Sequence, residues 1–433
     1  MRILLRCFFA IVLSWVSFPA LSASIINDTE TEKVISELIK PLAVAANIPE
    51  TRLNVHIVND DTFNAFVMGG EDVYVYTGLL TRIKTPNALR AVIAHEMGHM
   101  IGGHMVQMSE RMSAEMKRTL LIQALGVGLM VAGGNPTLGA GVMAGAGGIA
   151  RQSLLSFSRD EERIADDIGV DLMVRAGLNP NGFIEVFNQM SEMSGHIESK
   201  INPNAVNHPL TAERLKNVRE KISKIDAKKI NKKSDDRVSE YALVRAKLVG
   251  YLDSPDRVKT LYPYSDKTDA AIYARAIANM QAGNLSGALV GVKTLISRNP
   301  KNPYFYELLG DLEYQYGHYD DSVVAYEKSL KLADNAPQIQ TALALVLSER
   351  NKPGDKARAT ELCKSSLLVS PGPLSYWVLA KVYGSDDGRS DWAMAEFYNM
   401  QKQTKKAKEY ARRAKKKLTP DTPEYIKAND ILK

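Results

Sequence analysis

The spacing of apolar positions changes period along this 433-residue chain, and the changes mark where its elements begin and end. Glu30 to Ala45 repeats apolar side chains every three to four residues, which predicts an amphipathic helix. Arg52–Val58 alternates apolar and polar positions, and Glu71–Thr77 does so again after Asn64-Ala65-Phe66-Val67 and a Gly69-Gly70 turn. Both stretches predict half-buried strands. Helical spacing returns through Leu89–His99 and again over Arg159–Ala176. Between these helices, from 119 to 150, no residue is charged. Asn135-Pro136 cuts that interval into pieces shorter than the ~20 residues of a spanning helix, and its many glycines weaken long helices. Two short helices buried as a lid over the neighbouring site fit this pattern, and so does a segment touching a membrane without crossing it.

After a polar, Lys-rich linker at 223–237 the chain turns uniformly helical and repetitive. Ala276, Gly310 and Ala344 are spaced by 34 residues, as are Gly283 and Gly317, and Ala288 and Ser322. Within one unit, Gly310, Tyr314, Gly317, Tyr319, Ser322 and Tyr326 set small side chains where two helices touch and aromatic ones beside them. This resembles the tetratricopeptide repeat, whose period is 34 and whose stacked helix pairs form a concave surface for a peptide or protein. The expected fold is α+β and mainly helical: a domain over 24–222 with a small β-sheet, then an α-solenoid over 238–433.

Composition adds a compartment. Arg2 and Arg6 precede an apolar run, Cys7 to Trp15, and a small-residue exit at Pro19–Ala23. These features predict a Sec-type signal peptide over 1–23, and with it export. Without that peptide Cys363 is the one cysteine left, so no internal disulfide is available and the core must hold the fold. The formal net charge is +6, but residues 402–417 alone carry nine Lys/Arg against Glu409, a local +8. The basic character is local, which argues against nucleic acid. It leaves an anionic surface, an acidic partner or plain solvent for that segment.

The candidate chemistry begins at His95-Glu96-Met97-Gly98-His99. Residues four apart share a helix face, so His95 and His99 can offer two imidazole nitrogens to one zinc ion. Glu96 stands beside them as a base for a water that the ion activates. A third protein ligand is required. His104 is one residue early for the last histidine of an HExxHxxGxxH pattern, where Met105 stands, so it reads as a structural histidine beside the site. Ser158 to Asp166 offers a better source. Glu162 and Asp166 are four apart and can face the metal helix together, Glu162 as ligand and Asp166 as the acceptor that fixes a ligand histidine's tautomer. Spacing alone does not choose between Glu161 and Glu162, because carboxylates are favoured in any first helical turn.

HExxH, followed about sixty residues later by Ser-Arg-x-x-Glu-x-x-Ala-Asp, resembles the metallopeptidase family of the CAAX-prenyl proteases and the heat-shock protease HtpX, from Asn64 to about Asp167. The resemblance implies a zincin-type domain with one Zn2+ per chain on His95, His99 and Glu162, Glu96 as catalytic base and Asp166 as supporting acid. It also implies that His208, in Asn207-His208-Pro209, is a regulatory fourth ligand that shuts the site. With a signal peptide in front and repeats behind, the chain is similar to periplasmic members of that family. Those members imply a role in outer-membrane protein quality control: degrading unfolded or misassembled β-barrel proteins, aiding their assembly, and working beside the barrel-assembly machinery. The segment Val73–Thr77 is expected to pair with an extended substrate by strand addition. The alternative is a repeat-based chaperone or scaffold whose zinc site is latched and largely idle.

Overall fold

The computed structural model describes residues 24–49, 52–104, 107, 157–196, 208, 211–226, 237–334 and 336–433. The expected signal peptide, the uncharged interval at 119–150 and most of the linker at 223–237 lie outside the described residues. The chain forms two compact units, one comprising 24–26 and 31–245, the other 27–30 and 246–433. Their border falls inside the helix Val238–Leu252 rather than in the linker. The first half of that helix is tied to the first unit, where Tyr241 Oη donates to the Ile83 carbonyl at 3.2 Å and Arg245 Nη2 to the Thr81 carbonyl at 3.1 Å.

The first unit opens with β1 (Ser24–Ile26) and α1 (Thr29–Ala45), followed by β2 (Asn54–Asn59), β3 (Ala65–Met68) and β4 (Asp72–Tyr76). The sheet order is β1-β2-β4-β3, with β2 and β4 parallel and the outer pairs antiparallel. The alternation read in Glu71–Thr77 is realised in β4, whose Val73 and Val75 are fully buried. The expectation that Val73–Thr77 receives substrate is corrected by the pairing. β4 is bonded to β2 from Asn54↔Asp72 to Val58↔Tyr76 and to β3 from Met68↔Asp72 to Ala65↔Val75, so its backbone has no free side. Among the described strands, the outer edge beside it belongs to β3.

Helix α2 (Thr77–Arg82) leads into α3 (Pro86–Ile101), which carries HExxH. Thr85 caps α3 by accepting from the Ala88 amide, and Pro86 at the first position has its φ preset for the helix. Nearly every residue of α3 from Ala88 to His99 is buried, because α4 (Arg159–Arg175), α5 (Gly182–His196) and the sheet pack around it. Gly98 and Gly169 let α3 and α4 meet closely. A Cβ at Gly98 would stand 2.4 Å from the Ala165 carbonyl oxygen, and one at Gly169 would stand 3.0 Å from the Ala94 backbone. Helix α6 (Ala212–Ser223) follows, capped by the Thr211 side chain.

In the second unit, the helix begun at Val238 (α7, Val238–Leu252) is followed by α8 (Pro255–Leu261) and then by pairs: α9 (Asp269–Gln281) with α10 (Leu285–Arg298), α11 (Pro303–Tyr316) with α12 (Tyr319–Leu332), α13 (Pro337–Arg350) with α14 (Asp355–Val369), α15 (Pro373–Tyr383) with α16 (Gly388–Met400), and α17 (Thr404–Lys417) with α18 (Pro423–Leu432). The small residues of the 34-residue pattern sit where helices cross. A Cβ at Gly310 would collide with the Tyr326 ring at 2.8 Å, and Ser322 Oγ donates to the Gly310 carbonyl at 2.8 Å. Lys247 is buried in this unit among Asp28 (2.5 Å), Glu30 (3.2 Å) and Glu307 (3.5 Å). No helix among the described residues is long and apolar enough to cross a membrane.

Candidate metal centre

Helix α4 starts with a capping box that decides which carboxylate turns inward. Ser158 Oγ accepts from the Glu161 amide at 3.2 Å, and the Glu161 carboxylate accepts from the Ser158 amide at 2.7 Å. Glu161 is consumed in the cap. Glu162, the next residue, projects toward α3 and is 1 % exposed.

His95 and His99 both present Nε2 to a common centre, 3.1 Å apart. Each lies 3.4 Å from an oxygen of Glu162. Ligand atoms about 2.0–2.1 Å from a tetrahedral ion are roughly 3.3 Å from one another, so these three side chains are spaced to share one ion. His208 Nδ1 joins them, 3.2 Å from His95 Nε2 and 2.7 Å from Glu162 Oε1. The four ligand atoms all lie within 4.8 Å of one another. The Glu96 carboxylate borders the same centre, with Oε1 3.4 Å from His208 Nε2.

The outward nitrogens of both HExxH histidines are held as well. His95 Nδ1 lies 2.8 Å from Asp166 Oδ1, and His99 Nδ1 lies 3.0 Å from His104 Nδ1. His104 is 2 % exposed and rests on bare backbone, since a Cβ at Gly102 would stand 2.7 Å from its ring. Its place beside the ligands agrees with the structural reading of the sequence.

The charges around this centre favour a cation at it. Burial opposes protonation of His95, yet the Asp166 and Glu162 carboxylates overcome it and raise this imidazole to about 9. His99, with burial dominant, is pushed down to about 3. Burial would raise the Glu162 carboxyl, but three imidazoles hold it well below the ordinary carboxylate range. Glu96 goes the other way: burial dominates and raises its carboxyl.

His95, Glu96, His99, Glu162, Asp166 and His208 therefore come together although 113 residues separate His95 from His208. Two neighbours escaped sequence reasoning. Arg214 donates from Nε and Nη2 to the two oxygens of Asp166, and its Nη1 lies 2.6 Å from Glu162 Oε2. Its signal was present: a cation in the first turn of α6, next to the positive end of the helix dipole, is unfavourable unless a carboxylate meets it. Phe157 stacks on His99 with ring centroids 3.9 Å apart and on His208 at 5.2 Å. An aromatic just before an N-cap carries no comparable signal.

An HExxH helix packed against an acidic helix, with two imidazoles and a carboxylate spaced for one ion, defines a metallopeptidase. A sequence model of peptidase family M48 matches residues 29–222. Metalloprotease LoiP of Escherichia coli K12 is 30% identical over 194 residues, covering 43% of this chain and 72% of that protein. The beta-barrel assembly-enhancing protease of Yersinia pestis is 23% identical over 383 residues, covering 86% of this chain and 76% of that protein. The chain belongs to peptidase family M48, which implies a divalent metal ion. Among solved structures, a thermophilic TPR protein of Thermus thermophilus is 18% identical over 45% of this chain and 94% of its own, with a TM-score of 0.26. The repeat architecture rests on the 34-residue spacing and the helix pairs themselves.

Proposed function

We propose that this chain is a periplasmic zinc endopeptidase of outer-membrane protein assembly, which removes misassembled β-barrel proteins and assists others. The observation that carries the reading is the 3.1–3.4 Å spacing of His95 Nε2, His99 Nε2 and the Glu162 oxygens beside Glu96. In this reading His95, His99 and Glu162 hold the ion. Zinc, when bound, lowers the pKa of a water toward ~7 and polarises a scissile carbonyl. Glu96 takes the proton from the attacking water and passes it to the leaving nitrogen, and the burial that raises its carboxyl suits both transfers. Asp166 keeps a proton on His95 Nδ1 so that Nε2 faces inward, and His104 orients His99 from the far side of its ring.

An extended substrate lies along the β3 edge, where main-chain hydrogen bonds bind it with little regard to sequence. That suits unfolded β-proteins. The beta-barrel assembly role named for the Yersinia pestis relative supports the outer-membrane client class, and the basic, apolar and small-residue segments of 1–23 support export. The barrel-assembly machinery is the partner this reading assigns. The test is casein cleavage by wild type and Glu96→Gln: turnover is expected to fall about 10²-fold or more with zinc still bound, and unchanged turnover contradicts the reading. A second reading is favoured by His208, whose Nδ1 lies 2.7 Å from Glu162 Oε1 and which would serve as a fourth ligand. In it the site is latched for much of the time, and the repeats act on clients as a chaperone.

A further inference from the structure

Helix α17 sorts its side chains onto two opposite faces. Ala407, Ala411 and Ala414 are fully buried against the neighbouring helices. At 100° per residue, Lys405, Glu409, Arg412 and Lys416 lie on the opposite side, and Lys402 in the preceding turn extends the row. All five are exposed. The other cations of the helix are used internally. Arg413 and Lys417 lie 2.9 and 2.8 Å from the buried Asp391, Lys408 donates to the Leu432 carbonyl, Lys415 donates to Asn429, and Lys406 stands over the Tyr398 ring. Lys402, Lys405, Arg412 and Lys416 make no ion pair among the described residues.

The content of this row decides what it fits. A specific protein interface centres on buried apolar or aromatic anchors, and this row has none. A surface built only for solubility mixes both signs, as Arg358, Glu361 and Lys364 do on α14. Here four cations stand against one carboxylate along roughly 16 Å of helix beyond Lys402, in a chain whose remaining residues are net acidic, since 402–417 carry +8 of a total +6. Such a row matches a plane of phosphates, where every contact is alike and no register is needed. We propose that the Lys402–Lys405–Arg412–Lys416 row docks the repeat unit on an anionic phospholipid surface, peripherally and by charge alone.

The experiment is co-sedimentation of the purified full chain with phosphatidylglycerol/phosphatidylethanolamine vesicles and with phosphatidylcholine vesicles, at low and high salt. The probe variant combines Lys402→Gln, Lys405→Gln, Arg412→Gln and Lys416→Gln. A control variant combines Arg358→Gln and Lys364→Gln. Wild type and control are expected to bind the anionic vesicles alone and to release in high salt. The four-site variant is expected to lose roughly a hundredfold or more in partition, with an unchanged melting curve and unchanged cleavage of soluble casein. Equal binding to both vesicle types, salt-insensitive binding, or wild-type binding by the four-site variant overturns the proposal. Capture of soluble polyglutamate without vesicle binding also overturns it, in favour of an acidic protein partner.

Discussion

Arg214 grips Asp166 with two parallel hydrogen bonds, Nε to Oδ2 and Nη2 to Oδ1, both 2.8 Å long. Its third nitrogen reaches Glu162, so one guanidinium positions both the carboxylate that faces the centre and the acid behind His95. Burial opposes charge on Asp166, but Arg214 and His95 more than offset it and hold the carboxyl below its ordinary range. A compact ammonium cannot reproduce that flat fork. Arg214→Lys is expected to fold and to bind metal about 10- to 100-fold more weakly, as read by chelator competition. Unchanged affinity would mean that Glu162 and Asp166 are placed without it.

Gly98 stands inside the HExxH turn, with the Ala165 carbonyl against its bare Cα. Gly98→Ala must push α4 away from α3 and carry Glu162 with it. The overpacking costs about 1–3 kcal/mol, and metal content is expected to fall with the melting temperature. A fully metallated alanine variant of wild-type stability would contradict this contact.

His208 reaches the centre from a segment far along the chain, its ligand atom within 4.8 Å of those of His95, His99 and Glu162. His208→Ala is expected to raise casein cleavage several-fold, because catalytic zinc sites keep one position open. Equal or lower activity in a folded variant counts against a latch.

Glu30 is 2 % exposed, accepts from Tyr273 Oη at 2.9 Å and shares Lys247 with Asp28 and Glu307. Burial outweighs the attraction of Lys247 and pushes the Glu30 carboxyl up from 4.5 to about 7. The folded unit keeps a proton that the unfolded chain releases as pH rises past 4.5. This contribution is complete below 4.5 and is lost as pH passes 7, a change of about 3 kcal/mol. The melting temperature of the second unit is expected to be lower at about pH 8 than at about pH 5.5, and Glu30→Gln is expected to flatten that slope. The same slope in the variant would place the titration elsewhere.

Legibility followed locality. The α1, α3 and α4 helices, the β2 and β4 strands and the repeat pairs were readable because their signals are short-range periods and caps. Glu161 and Glu162 were not separable by spacing, since the choice is made by a reciprocal hydrogen bond to Ser158. Strand order was invisible for the same reason: β2 skips β3 to pair with β4, and that long-range choice enclosed Val73–Tyr76 and gave the edge to β3. Arg214 was missed because its meaning depends on two carboxylates on another helix. The ligands and the supporting Asp166 and His104 are legible in the sequence, whereas Arg214 and Phe157, which pack on them, come only from the fold.

Metal analysis of the purified chain beside Glu162→Ala tests the central claim most directly. One zinc per chain is expected in the wild type, with most of it lost from a folded Glu162→Ala variant because the remaining imidazoles cannot hold the ion alone. Full zinc occupancy in that variant, or a wild type that binds no zinc at neutral pH, would contradict an ion shared by His95, His99 and Glu162.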